Sequence, residues 1–314
     1  MGQVSPLPGR IEIIPFVSRT LTGEEFLRGD AKGRAKGQEC ILAGELRLPA
    51  SATASGTGDR VAAAVLVHGS GGISGAIDLW ARDLNSVGIA AFILDTFSGR
   101  GITNTIADQS QLNSLAMVFD AYRALDLLAA HPAIRADRIA VLGFSKGAVA
   151  SIYSAMDRFH QPYGNPARRF AAHIGLYTPC NVTYVDDTAV ARVPLRLFHG
   201  IADDYVSIVP CRDYVARLRA AGADVSLTEY PGAHHGFDNP LYAPLISLPN
   251  AQTTRNCRLV EGIGEAIHDV QTGQHYSLRS APCVETGAHV GYDAAAATAV
   301  RAAVKEFLTG ALLH

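Results

Sequence analysis

The sequence has almost no net charge: 27 Lys and Arg against 29 Asp and Glu leave a formal −2 at pH 7 over 314 residues. A chain so balanced carries no electrostatic footprint for nucleic acid or for an anionic membrane surface. It contains no apolar run near the roughly 20 residues that span a bilayer. Its opening, MGQVSPLPGR, has no signal-peptide apolar core and, with Pro6 where Ser or Thr is needed, no myristoylation pattern. The expected location is cytoplasmic for a full-length chain, and periplasmic or secreted for a trimmed mature one. The five cysteines (Cys40, Cys180, Cys211, Cys257, Cys283) form no C-x-x-C and no metal-like spacing, so no metal site is expected. They read either as buried free thiols or as two disulfides, Cys180 with Cys211 and Cys257 with Cys283, leaving Cys40 single; the bonded state implies an oxidising compartment.

What is present is ordinary globular composition, 48% hydrophobic and 18% charged. No Pro-, Ser- or charge-rich linker divides the chain and no repeat appears, so one domain over 1–314 is expected. From about residue 60 a regular alternation sets in. RVAAAVLVHG (60–69) is a continuous apolar run, as in a strand buried on both faces. Helical spacing follows at 76–88, a second apolar run at 89–97, a long amphipathic helix at 111–132 stopped by Pro132, and a third strand at 138–144 leading into a helix at 146–158. Strands at 170–177, 193–200 and 224–232 and helices at 208–222 and 293–310 complete the pattern. Before it, 11–16 and 40–49 read as an antiparallel entry. This alternation predicts an α/β fold with a mostly parallel central sheet and helices on both faces. The 238–292 segment, rich in Pro, Gly and polar residues, reads as an insertion before the final helix.

In such sheets ligands bind beyond the carboxyl ends of the strands. Four strand ends carry polar residues: HGSGG (68–72), GFSKG (143–147), HGIADD (199–204) and PGAHHGF (231–237). GFSKG is a G-x-S-x-G elbow, in which a strand turns sharply into a helix and holds Ser145 up as a nucleophile. The competing reading is a packing turn whose serine caps the helix. A serine hydroxyl needs a base, and the base an orienting carboxylate, in the chain order Ser, acid, His. HGIADD offers Asp203 or Asp204, and GAHHGF offers His234 or His235. The backbone N–H of Lys146, with that of Ser70 or Gly71 in the glycine-rich loop, would bind an oxyanion. A phosphate loop is disfavoured there, because GSGGISG has no G-K-[ST] and Ser74 takes the last Gly position of G-x-G-x-x-G.

HGSGG, DTFSGRG (95–101), GFSKG, HGIADDYV and YPGAHHGF, in this order, resemble the dienelactone hydrolase family of α/β-hydrolases, over about 60–237. The resemblance implies Asp203 as the acid and His235 as the base, with Asp204 and His234 as bystanders. Dienelactone hydrolases proper use a cysteine nucleophile, so Ser145 favours the family's serine esterases. It implies cleavage of a small-molecule ester or lactone through an acyl-enzyme, with no cofactor. The alternatives are a peptidase or amidase of the same fold, and a non-catalytic binding protein on the scaffold. Arg100 is a candidate for a substrate carboxylate or carbonyl, against a structural pairing with Asp95. Trp80 and Tyr205 are pocket candidates, while His68 and His199 read as structural histidines.

Overall fold

The computed structural model describes residues 9–29, 37–54 and 60–314. Residues 1–8, the part of the opening read above for targeting signals, lie outside them. The chain begins with β1 (Arg10–Thr20), α1 (Gly23–Arg28), β2 (Gln38–Leu48), α2 (Ser51–Ala54), β3 (Val61–Val67), α3 (Gly75–Ser86) and β4 (Ala90–Asp95). It continues with α4 (Ser114–Ala130), β5 (Ile134–Phe144), α5 (Lys146–Tyr153), α6 (Asp157–Tyr163), β6 (Ala172–Leu176), β7 (Val182–Thr183) and β8 (Leu195–Gly200). Last come α7 (Val209–Ala220), β9 (Val225–Tyr230), β10 (Ile246–Thr253), β11 (Leu259–Glu261), β12 (Ile267–Asp269), β13 (Glu285–Val290) and α8 (Ala294–Leu313).

Eight strands form the main sheet in the order β1-β2-β4-β3-β5-β6-β8-β9. β1 and β2 enter antiparallel, and from β4 to β9 every pairing is parallel. The unbroken apolar run of β3 now has its reason. Ala63, Val65 and Val67 pack into the core under α4 and α5, while Ala62, Ala64 and Leu66 face the core under α3 and α8. Both faces are covered, so no position along the strand can be polar. The mostly parallel sheet with helices on both faces is the architecture the alternation predicts.

Three elements depart from the sequence pattern. The helix expected over 146–158 stops at Tyr153 and restarts at Asp157, because Met156 turns aside to bridge Val190 and Asp157 N–H donates to Ala189. β5 starts four residues early, at Ile134, through a register shift against β3. The 238–292 segment is structured: β10 pairs antiparallel with β13, and β11 pairs antiparallel with β12 and parallel with β7. Of the two readings of the cysteines, the bonded one holds. Cys180–Cys211 ties the loop after β6 to α7, Cys257–Cys283 closes the inserted segment, and Cys40 stays single. Among the described residues no helix is long and apolar enough to cross a membrane.

Candidate active site

The elbow is built by close backbone approach. A Cβ on Gly143 would run into the Gly147 carbonyl, and one on Gly147 into the carbonyls of Val67 and His68. Any larger residue at either position would push the turn off the sheet. Between them Ser145 sits at φ 52° and ψ −119°, a conformation that L-residues rarely adopt. The serine precedes α5 without capping it: its side chain makes no cap hydrogen bond. The hydroxyl is free for another partner, which removes the packing-turn reading of GFSKG.

That partner is His235. Ser145 Oγ lies 2.9 Å from His235 Nε2, and His235 Nδ1 lies 2.8 Å from Asp203 Oδ2. The tautomer that satisfies both bonds has Nδ1–H donating to the carboxylate and Nε2 accepting from the serine. Asp203 is held from the other side as well, since its Oδ1 accepts the backbone N–H groups of Tyr205 at 2.9 Å and Val206 at 2.8 Å. Burial pushes this carboxyl up, but the charge of His235 and hydrogen bonds from His199 and His235 outweigh it, holding the pKa well below the usual carboxylate range. The acid is therefore ionised at any ordinary pH.

Two bystanders separate from this chain. Asp204 turns outward and bonds the β13 residue His289, through its backbone N–H at 2.9 Å and its Nδ1 at 2.7 Å. His234 points elsewhere, with its Nδ1 buried and unbonded. The residues expected to supply oxyanion donors lie near Ser145. The first N–H of α5 belongs to Lys146, and N–H groups of a first helical turn have no acceptor within the helix. The loop Gly69–Gly72 folds back over the elbow, where a Cβ on Gly69 would come within 3.2 Å of Ser145 Cβ. Ser70, Gly71, Ser145 and His235 all line one cavity of about 120 Å³.

Of the three substrate-contact candidates, only Tyr205 stands at the site. Its ring lies 4.8 Å from the His235 ring and it lines the cavities on both sides of Ser145. Arg100 is instead consumed by structure: it bonds both oxygens of Asp120, at 2.7 and 2.9 Å, together with Thr20, Thr96 and Arg19. Its carboxylate partner is Asp120 on α4, not Asp95. The Asp95 carboxylate accepts the N–H groups of Phe97 and Ser98 in its own turn. Trp80 is fully buried and donates its indole N–H to Asp238 at 2.7 Å, with Arg301 over its ring. It belongs to the core. His68 is structural as expected, bonded to Gly69 and Thr96.

Three residues with a bearing on the site escaped the motif reading, and a fourth, His199, is the structural histidine expected. His199 places Nε2 3.0 Å from the Val206 carbonyl and 3.4 Å from Asp203 Oδ2, so it braces the acid. Asp238, three residues after His235, accepts from Tyr177 Oη as well as from Trp80, and the Tyr177 ring lies 4.6 Å from His235. Gln109 is a hub: its Oε1 accepts from Ser70 Oγ at 3.0 Å and from Lys146 Nζ at 3.2 Å. The third is the Lys146 side chain, which is buried beside the nucleophile and also reaches the Gln109 carbonyl at 3.1 Å. Desolvation pulls its pKa down to about 7, opposed by the charge of Asp108. The spacing H-x-x-D at 235–238 was a signal for Asp238; nothing local marked Gln109.

The inserted segment straps these loops together. Thr253 Oγ1 donates to the Tyr205 carbonyl at 2.7 Å, Gly291 N–H donates to the His235 carbonyl at 3.1 Å, and Val290 forms a bridge with His235. Gln252 bonds Ile106 and Gln109 on the far side of the cleft. A second cavity of about 190 Å³ opens on the other flank of Ser145, along Lys146, Val149, Tyr153 and Tyr184.

Known proteins share this fold. A family model described as phospholipase/carboxylesterase matches residues 102–242. No curated protein matches the sequence. Among solved structures, a dienelactone hydrolase-like promiscuous phosphotriesterase from metagenomic libraries superposes with a TM-score of 0.60 at 17% identity, covering 95% of this chain and 98% of its own. A structure named m3DLH gives 0.60 at 18% identity over 96% and 99%. A protein described as a candidate dienelactone hydrolase from Klebsiella pneumoniae gives 0.50 at 17% identity over 72% and 89%. The sheet order, the strand–turn–helix elbow and these likenesses show that the chain has the α/β-hydrolase fold.

Proposed function

We propose that the protein is a serine hydrolase that cleaves carboxylic esters or lactones through an acyl-enzyme, with Ser145 as nucleophile, His235 as base and Asp203 as orienting acid. The observation that carries this reading is the continuous chain of hydrogen bonds from Ser145 Oγ through His235 to Asp203. His235 Nε2 takes the hydroxyl proton as Oγ bonds to the carbonyl carbon. The carbonyl oxygen gains a negative charge and accepts from the N–H of Lys146 and that of Ser70 or Gly71. Collapse of the tetrahedral adduct breaks the carbon–oxygen bond to the alcohol, which leaves with the proton held on His235. Water then enters, gives its proton to His235, attacks the acyl group and releases the acid, returning the proton to Ser145. Asp203 stabilises the imidazolium that forms in each half. No step calls for a cofactor.

The phospholipase/carboxylesterase model and the dienelactone hydrolase-like neighbours support ester bonds over amide bonds as the target. The two disulfides support folding in an oxidising compartment. The test is a fluorophosphonate probe with turnover of p-nitrophenyl acetate. The wild type is expected to be labelled at Ser145 and to turn over the ester. Ser145→Ala should lose both while unfolding cooperatively in urea. Hydrolysis retained by the folded variant refutes the mechanism. Turnover of peptide anilides ahead of esters moves the protein to the peptidase reading, and absence of labelling to the binding-protein reading.

A further inference from the structure

The two cavities meet at Ser145 but are not equivalent. Both are lined by Ser70, Ser145 and Tyr205, whereas His235 borders only the smaller one. The smaller is lined by Phe144, Tyr177, Leu248 and Val290. The larger is walled by Leu112, Leu115, Val149, Val182 and Leu259, and it does not end there. Its residues Leu112, Ile267, Tyr276 and Leu278 also line a third cavity of about 580 Å³ that reaches Leu21, Leu27 and Arg279. The larger arm therefore runs on into a further cavity, with which the smaller arm shares no lining residue.

We propose that the larger arm receives the acyl group and the smaller arm the alcohol, so that the preferred substrates join a long hydrocarbon acyl chain to a short alcohol. This rests on the esterase reading. The assignment follows from the direction of proton transfer. The carbon–oxygen bond that breaks must present its oxygen to His235 Nε2, since that atom delivers the proton to the leaving group. The alcohol therefore lies on the flank that His235 borders, the smaller arm. The oxyanion takes the N–H groups of Lys146 and the Gly69–Gly72 loop. The remaining substituent of the carbonyl carbon, the acyl chain, has only the flank without His235, which is the larger arm continuous with the outer cavity.

Ethyl octanoate and octyl acetate test this directly. They are isomers of equal carbon number and differ in which side of the carbonyl bears the chain. The wild type is expected to favour ethyl octanoate at least tenfold in kcat/KM, because a long chain can run on from the larger arm into the outer cavity, whereas the smaller arm offers about 120 Å³. Equal rates, or a preference for octyl acetate, overturn the arm assignment and leave the esterase reading standing. Turnover of neither isomer, with none of p-nitrophenyl acetate, overturns both. Leu278→Trp, in a loop where the larger arm passes into the outer cavity, should lower kcat/KM for ethyl octanoate relative to ethyl acetate at least fivefold. An unchanged ratio in that variant also overturns the assignment.

Discussion

Replacing Ser145 with glycine should abolish hydrolysis and yet give a more stable protein than replacing it with alanine. The serine is held at φ 52° by the elbow, and a Cβ in that region strains the backbone. Such a residue costs on the order of 1–3 kcal/mol, which alanine retains and glycine escapes. Glycine gives back about 0.5–1 kcal/mol through its greater freedom in the unfolded chain. Ser145 is partly exposed, so loss of its Cβ sacrifices little apolar contact. Both variants lose the hydroxyl bond to His235 equally, and that term cancels in the comparison. The balance favours Ser145→Gly over Ser145→Ala by about 1 kcal/mol. With an unfolding entropy of about 2.1 cal/mol/K per residue over 314 residues, this corresponds to a rise in Tm of about 1.5 °C. Calorimetry and urea unfolding with the disulfides intact would read the difference, and p-nitrophenyl acetate would check that both variants are inactive. A glycine variant no more stable than the alanine variant refutes the idea that the elbow stores strain to expose its serine.

Asp203→Asn should lower kcat by about 10³–10⁴-fold while leaving the protein folded, because an amide cannot stabilise the imidazolium and can hold His235 in the wrong tautomer. Ester turnover within tenfold of wild type would remove Asp203 from the mechanism. Lys146 gives a pH signature in stability. Its pKa falls from 10.5 in the unfolded chain to about 7 in the fold, so its cost to stability is full below pH 7 and fades as pH rises towards 10.5. Lys146→Met removes that dependence. Relative to wild type, the variant should gain on the order of 3 kcal/mol more at pH 6.5 than at pH 9.5 in urea unfolding. Parallel pH profiles would show that the ammonium is solvated after all.

Much of this protein was legible as sequence, and the reason is locality. The strand–helix alternation and the antiparallel entry follow from runs of apolar residues whose period needs no distant partner. The elbow follows from Gly143 and Gly147, which the sterics of one turn require on either side of Ser145. The chain order of acid and base after the elbow is a property of topology, so Asp203 and His235 fell within four candidate positions. Tertiary structure decided what depends on who meets whom. It sent Arg100 to Asp120 on a helix twenty residues away, and it buried Trp80 against Asp238 instead of leaving it in a pocket. It brought Gln109, in a loop without a motif, between Ser70 and Lys146, and gave the Lys146 side chain a role its position did not announce. It also folded the inserted segment into a strap that bonds the loops of Tyr205 and His235 and shapes unequal cavities around Ser145. Chemistry carried by adjacent residues can be read along a chain; the shape of the space around it is set by side chains far apart in sequence, and only their packing determines it.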